Sequence, residues 1–294
     1  MPTPIPEDRY CILESGLTLH VTEAGKKSRG QPTVLCLHGG GPGASGYSNF
    51  KNSLSFFSEH GYHTIAPDLA GFGLSDKPTD ISYTSQFHVD CLLELCDQLE
   101  IDSFIPVGNS LGGSVALELY FAAPKRVPSL ILMAPGGLAD PATFWGTTEG
   151  GSALAKYSRE RPGGISEFQD ILALLVHDPD FIDDTVIAER YPIAKAQPAC
   201  VFTSVSIQPT WEKLGEITCP VLCFWGSNDR FLPVSQSLIL LQEVPQAKVV
   251  ISNQAGHWYM LELPNDFNRE VVQFLTSSLG APIIETKNEG ISQK

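Results

Sequence analysis

One hexapeptide, Gly108-Asn109-Ser110-Leu111-Gly112-Gly113, restricts this chain more than any other stretch. An apolar run over 104–107 precedes it and a helix-permissive run over 111–121 follows. A strand that turns sharply into a helix holds its central side chain in a strained, exposed position, and a Cβ on either flank would clash with the turn. The pattern is the G-x-S-x-G nucleophile elbow in its strand–turn–helix setting. A serine placed there needs a base and an orienting acid, which follow it in the order Ser, Asp, His. Asp229 and then His257 meet that order, each just past a strand-like run.

The periodicity around the elbow predicts an α/β fold. Short apolar runs over 33–37, 62–66, 104–107, 130–133, 221–225 and 248–251 read as strands, and 9–13 and 17–22 form a hairpin across Ser15-Gly16. Helices are expected over 48–60, 85–99, 111–121 and 264–279. Alternating strands and helices build a mostly parallel, here eight-stranded, sheet with helices on both faces. Pro106 is awkward in a central strand because it has no N–H to donate.

From 139 to 209 the strand signals stop and short amphipathic helices take over. Phe168, Ile171, Leu172 and Leu175 make one stripe; Val186, Ile187, Tyr191 and Ala194 make another. This segment is expected to be an inserted helical cap over a core formed by 1–138 and 210–280, with 281–294 a flexible polar tail. A chain of 294 residues has room for both parts.

The net charge of −14 argues against nucleic acid and anionic membrane as partners. No apolar run reaches the length of a membrane span, and the N-terminal segment lacks the basic and apolar regions of a signal peptide, so a cytoplasmic protein is expected. The seven cysteines are scattered without paired metal-ligand spacing and read as reduced, mostly buried thiols. No metal and no cofactor is expected.

Several residues carry chemistry. Ser110 is the candidate nucleophile, His257 the base, and Asp229 the acid that fixes the imidazole tautomer and stabilises the imidazolium. The glycine-rich run His38-Gly39-Gly40-Gly41-Pro42-Gly43 follows a strand and leaves backbone N–H groups free to converge on an anion. The N–H groups of Gly40 and Leu111 are the candidate oxyanion donors, and Gly41 is a further candidate contact for substrate. His38 is a second candidate base whose place ahead of the loop favours a bracing role. Arg190 falls within an apolar stripe of the cap. It either snorkels at the edge of the stripe or clamps a substrate carboxylate, supplying the cation that an acidic protein lacks. Phe144, Trp145, Phe168 and Tyr191 are candidates either for an apolar substrate pocket or for cap core.

The segments His38-Gly39-Gly40-Gly41-Pro42-Gly43-Ala44, Ser48-Asn49-Phe50, 108–113, 133–138, 225–233 and Gly256-His257-Trp258, with Asp266-Phe267-Asn268, together resemble the meta-cleavage product hydrolases. These are C–C bond hydrolases of aromatic-ring degradation with the α/β-hydrolase fold. The resemblance runs from about residue 30 to 279 and is weakest in the cap. It implies a 2-hydroxy-6-oxo-hexa-2,4-dienoate substrate, cleaved at C5–C6 to a 2-hydroxypenta-2,4-dienoate and a carboxylic acid. It also implies that Ser110, Asp229 and His257 form the triad, and that Gly40 and Leu111 form the oxyanion hole. Asn49, Asn109, Arg190 and Trp258 would hold the dienoate end, the asparagines as neutral donors. A homo-oligomer is implied in the same way.

Other readings fit the same triad. A general carboxylesterase needs nothing more, because Ser-His-Asp chemistry does not choose its acyl group. An inward Arg190 separates the two, favouring the carboxylated dienoate. Proline iminopeptidases share the His-Gly-Gly-Gly-Pro-Gly run but need acidic cap residues that are not identified here. A non-catalytic small-molecule receptor on a hydrolase scaffold is opposed by the intact triad, and a haloalkane dehalogenase by serine rather than aspartate at the elbow.

Overall fold

The computed structural model describes residues 5–160 and 164–282. Its strands are β1 (Glu7–Ile12), β2 (Thr18–Ala24), β3 (Thr33–Leu37), β4 (Thr64–Pro67), β5 (Phe104–Asn109), β6 (Leu130–Met133), β7 (Val221–Gly226) and β8 (Ala247–Ser252). They join in one eight-stranded sheet of order β1-β2-β4-β3-β5-β6-β7-β8. The β1–β2 and β2–β4 pairs are antiparallel; every pair from β4 to β8 is parallel. Strands β3 to β7 are buried along their whole length, as short continuous apolar runs covered on both faces must be. The edge strand β1 is mostly exposed, and β8, at the other edge, is only partly covered.

Pro106 is tolerated for a local reason. It aligns with Leu35 of β3, whereas the ladder to β6 begins only at Val107, paired with Ile131. A missing donor on the β6 side therefore breaks no strand pair.

The helices are α1 (Gly46–Glu59), α2 (Ser85–Gln98), α3 (Leu111–Ala122), α4 (Glu149–Glu160), α5 (Ile165–Ala173), α6 (Asp184–Ala196), α7 (Cys200–Thr203), α8 (Ser237–Glu243), α9 (Tyr259–Glu262) and α10 (Pro264–Leu279). Helix α1 packs against α9 and α10, and α2 packs against α3, with the sheet between these two groups. Helix α1 begins two residues before the expected Ser48 because Ser45 and Ser48 form a reciprocal cap. The Ser45 hydroxyl accepts from Ser48 N at 2.9 Å, and Ser48 Oγ accepts from Ser45 N at 3.0 Å.

Between β6 and β7 the described residues hold helices and turns and no strand. The stripe Phe168, Ile171, Leu172 and Leu175 is buried. Phe168 and Tyr191 meet with ring centroids 5.3 Å apart, which locks α5 onto α6. Most of the expected tail, 283–294, lies outside the described residues. All seven cysteines are free thiols, and burial pushes those of Cys91, Cys96 and Cys219 up to about 12. A thiol held so far above neutrality is inert. No helix among the described residues is long and apolar enough to cross a membrane.

Candidate active site

Parallel strands deliver their loops to one edge of the sheet, and three of these loops meet there: the ones after β5, β7 and β8. Ser110 follows β5 and caps α3 with φ 56° and ψ −115°, a left-handed backbone that most side chains avoid. Its neighbours leave no alternative. A Cβ at Gly108 would lie 2.2 Å from the Gly112 carbonyl oxygen, and one at Gly112 would lie 2.1 Å from that of Leu37. The turn is then tied to β6, since Ser110 N donates to Met133 O at 3.1 Å and Gly136 N donates to Ser110 O at 3.0 Å. Ala134, beside this junction, also has positive φ, at 38°.

His257 Nδ1 donates to Asp229 Oδ2 at 2.7 Å, and both side chains are buried. Asp229 Oδ1 accepts from Phe231 N at 2.8 Å and Leu232 N at 2.9 Å, which fixes the carboxylate. With Nδ1 protonated, Nε2 is left to take a proton. The Phe231 ring stacks on the imidazole, with centroids 5.3 Å apart. Ser110 and His257 line the same cavity, but no hydrogen bond joins Ser110 Oγ to the imidazole among the described residues. Contacts of this kind tighten when substrate fills the site.

The histidine loop is held from three directions. His257 N and Trp258 N both donate to Leu175 O, at 2.8 and 3.1 Å. Glu262 accepts from Gly256 N at 2.7 Å and from His177 N at 2.5 Å, bridging the loop to the segment after α5. Burial pushes the Glu262 carboxyl above its usual range, and those two N–H groups oppose the shift. Asn109 Nδ2 donates to His257 O and Met133 O, each at 3.1 Å.

The glycine loop faces the elbow. His38 Nδ1 donates to Gly39 O at 2.8 Å and Nε2 accepts from Leu69 N at 2.9 Å, so both ring nitrogens are used. Burial holds its pKa below the usual histidine value. The residue braces the loop and has no free nitrogen to act as a base. Gly40, Gly41 and Leu111 line the cavity, and no acceptor among the described residues takes the N–H of Gly40 or Leu111.

The cavity encloses about 500 Å³. Phe144, Trp145 and Trp258 belong to its wall; Phe168 and Tyr191 do not and serve as packing within the helical insertion. Arg190 is 1 % exposed, which rules out snorkelling. One terminal nitrogen donates to Ser48 O at 2.9 Å and Asn49 Oδ1 at 3.0 Å, while the other has no partner. Asn49 Nδ2 is likewise buried without a partner. Burial lowers the Arg190 pKa to about 10, so the group stays charged at neutral pH. Its guanidinium lies 4.2 Å from the centroid of a Trp258 ring. Arg190 thus stands against a wall residue, and neither it nor Asn49 is in the wall itself.

A model of the alpha/beta hydrolase family matches residues 34–270. A 2-hydroxy-6-oxononadienedioate/2-hydroxy-6-oxononatrienedioate hydrolase of Dechloromonas aromatica (strain RCB) is 33% identical over 269 residues, covering 88% of this chain and 91% of the relative. A 2-hydroxy-6-oxo-6-phenylhexa-2,4-dienoate hydrolase of Burkholderia cepacia is 32% identical over 277 residues, covering 90% and 95%. The solved meta-cleavage product hydrolase from Pseudomonas fluorescens IP01 superposes with a TM-score of 0.78 at 27% identity, covering 92% of this chain and 97% of that one. The chain belongs to the meta-cleavage product hydrolases of the alpha/beta hydrolase family.

Within this hydrolase, two residues differ from what the sequence led us to expect. Asn109 offers no donor to the cavity, because both amide hydrogens go to backbone carbonyls; only Oδ1 is left without a partner. Two carbonyl partners also settle which amide atom is nitrogen. Glu262 was not foreseen at all. Its one sequence signal is its position five residues after His257, where a short helix such as α9 can turn a carboxylate back onto the histidine loop.

Proposed function

We propose that this hydrolase cleaves the C5–C6 bond of a 2-hydroxy-6-oxo-hexa-2,4-dienoate formed by ring opening of an aromatic compound. The observation that carries the reading is the Arg190–Asn49 pair. The pair has two buried donors without partners, and its guanidinium packs against Trp258, a wall residue of the cavity that also holds Ser110 and His257. A buried guanidinium with an unused N–H is costly until an anion meets it, and the dienoate carboxylate is that anion. A simple ester has no group for this pair to bind.

The geometry supports the following roles. Ketonisation moves the 2-hydroxyl proton to C5, with His257 as the shuttle. The base then activates an oxygen nucleophile, Ser110 or a water, which adds to the C6 carbonyl, and Gly40 and Leu111 donate to the oxyanion. Collapse breaks C5–C6, the electron pair flows into the 2-keto group, and a proton from His257 completes the 2-hydroxypenta-2,4-dienoate. One water is consumed in all: its oxygen ends in the carboxylic acid, directly or by hydrolysis of an acyl-Ser110. The segment 139–209 acts as a cap that closes over this chemistry. Residues 1–138 and 210–280 form the core.

The reading extends to a cytoplasmic homo-oligomer in aromatic catabolism, acting on a small anionic substrate. The dienoates are coloured, so turnover is read as bleaching. The test compares 6-phenyl and 6-methyl dienoates with a p-nitrophenyl ester for wild type, Ser110→Ala and Arg190→Ala. A dienoate should be cleaved with far higher kcat/KM than the ester, and Arg190→Ala should impair the dienoate alone. Ester turnover without dienoate turnover, with Arg190→Ala silent, would identify a carboxylesterase instead.

A further inference from the structure

We infer that the group on C6 of the substrate is neutral and bulky, an aryl ring or an apolar alkyl chain, and does not end in a second carboxylate. The inference rests on the dienoate reading and deepens it. The two named relatives do not decide the matter, because one name specifies a dioate and the other a phenyl group at nearly equal identity. The cavity wall does.

The helical insertion and the strap after it contribute Phe144, Trp145, Leu154, Phe202, Val205 and Ile207 to that wall. Their polar companions are Ser158 and Thr203, and both hydroxyls are turned inward on their own helices. Ser158 Oγ donates to Ala155 O at 2.9 Å, and Thr203 Oγ1 donates to Ala199 O at 3.2 Å. Neither has a hydrogen left for a carboxylate.

Among the described residues the wall holds no lysine or arginine, and its one titratable side chain is His257. The cations of α4 lie elsewhere: Arg159 is exposed, and Lys156 is exposed and pairs with Glu160. Arg161 lies outside the described residues. A carboxylate driven into such a wall would lose its water and gain neither charge partner nor donor. An aryl group loses only unfavourable hydration and gains contact with aromatic rings. A cavity of about 500 Å³ has the dimensions of a site for a ligand of this size.

The experiment uses the full chain and three substrates with the same dienoate end, carrying phenyl, methyl or 2-carboxyethyl on C6. The expected order in kcat/KM is phenyl, methyl, carboxyethyl, with phenyl ahead of carboxyethyl by about a hundredfold. A second arm places a cation in the wall with Val205→Arg, at a side chain already 40% exposed and so open to a larger group. That variant should raise carboxyethyl turnover relative to phenyl at least tenfold. Carboxyethyl equal to or better than phenyl in wild type overturns the inference while leaving the dienoate reading intact. Loss of such a preference in Arg161→Ala would assign the second carboxylate to Arg161 and overturn it equally. No turnover of any dienoate beside a turned-over p-nitrophenyl ester would overturn the dienoate reading, and this inference with it.

Discussion

The elbow around Ser110 and the helical wall opposite it bound the same cavity, yet they are held by different forces. At the elbow, backbone meets backbone with no room for a methyl group, and every turn atom has one place to go. The wall is lined mostly by aromatic and aliphatic side chains. Backbone contacts of that closeness fix a position to a fraction of an ångström. Side-chain packing fills a volume and tolerates exchange. On the proposed reading, the rigid half sets the chemistry and the exchangeable half the selectivity.

The comparison can be broken first at the elbow. Gly112→Ala sets a Cβ 2.1 Å from the Leu37 carbonyl oxygen, in backbone that cannot retreat. Urea unfolding should show a loss of about 3 kcal/mol or more, with activity abolished. A variant of wild-type stability would mean that the elbow is looser than its contacts imply.

Next comes Asp229→Asn. The amide can still accept from Phe231 and Leu232, so the fold should survive, but its NH2 cannot accept the hydrogen bond of His257 Nδ1–H. A drop in kcat of about 10⁴-fold with an unchanged circular dichroism spectrum is expected.

Glu262→Gln probes the seam between the two halves. It retains shape but keeps one acceptor oxygen, so of the two charge-assisted bonds, to Gly256 and His177, one is lost and the other weakened. We expect kcat to fall about tenfold, or about 1.4 kcal/mol, with a displaced pH–rate profile. An effect on stability with no change in that profile would make Glu262 a structural link only.

The wall should give less. Phe144→Ala should raise KM for the 6-phenyl dienoate about fivefold and leave kcat within about twofold, the signature of lost uniform binding. Smallest of all is Ala134→Gly, which relieves a positive φ of 38°. It should raise the unfolding free energy by less than about 1 kcal/mol, read from the urea midpoint.

Much of this arrangement was legible in the chain. The eight strands, the helix over Pro264–Leu279 and the strandless insertion all carry local periodicity, which needs no knowledge of what packs against them. Asp229 and His257 were readable because position in a parallel sheet follows from chain order. Arg190 stood out because it interrupts an apolar stripe, which left snorkelling and an inward clamp both open until its burial decided against the first. What escaped depends on meetings between distant segments. Nothing local in Asn109 says that the carbonyls of Met133 and His257 will both come within 3.1 Å of its amide. Nothing local in Arg190 says that its guanidinium will pack against Trp258, itself a wall residue. Pro106 looked like a defect until the register placed it one residue ahead of the β6 ladder.

The carbonyl of Leu175 has a mechanical consequence. It receives the N–H groups of both His257 and Trp258, and it sits at the end of the stripe that packs the insertion together. An outward swing of that segment therefore cannot leave the catalytic loop behind. It must either carry the histidine loop with it or break two hydrogen bonds at once. The position of the helical insertion and the placement of the imidazole are thus coupled through one backbone oxygen.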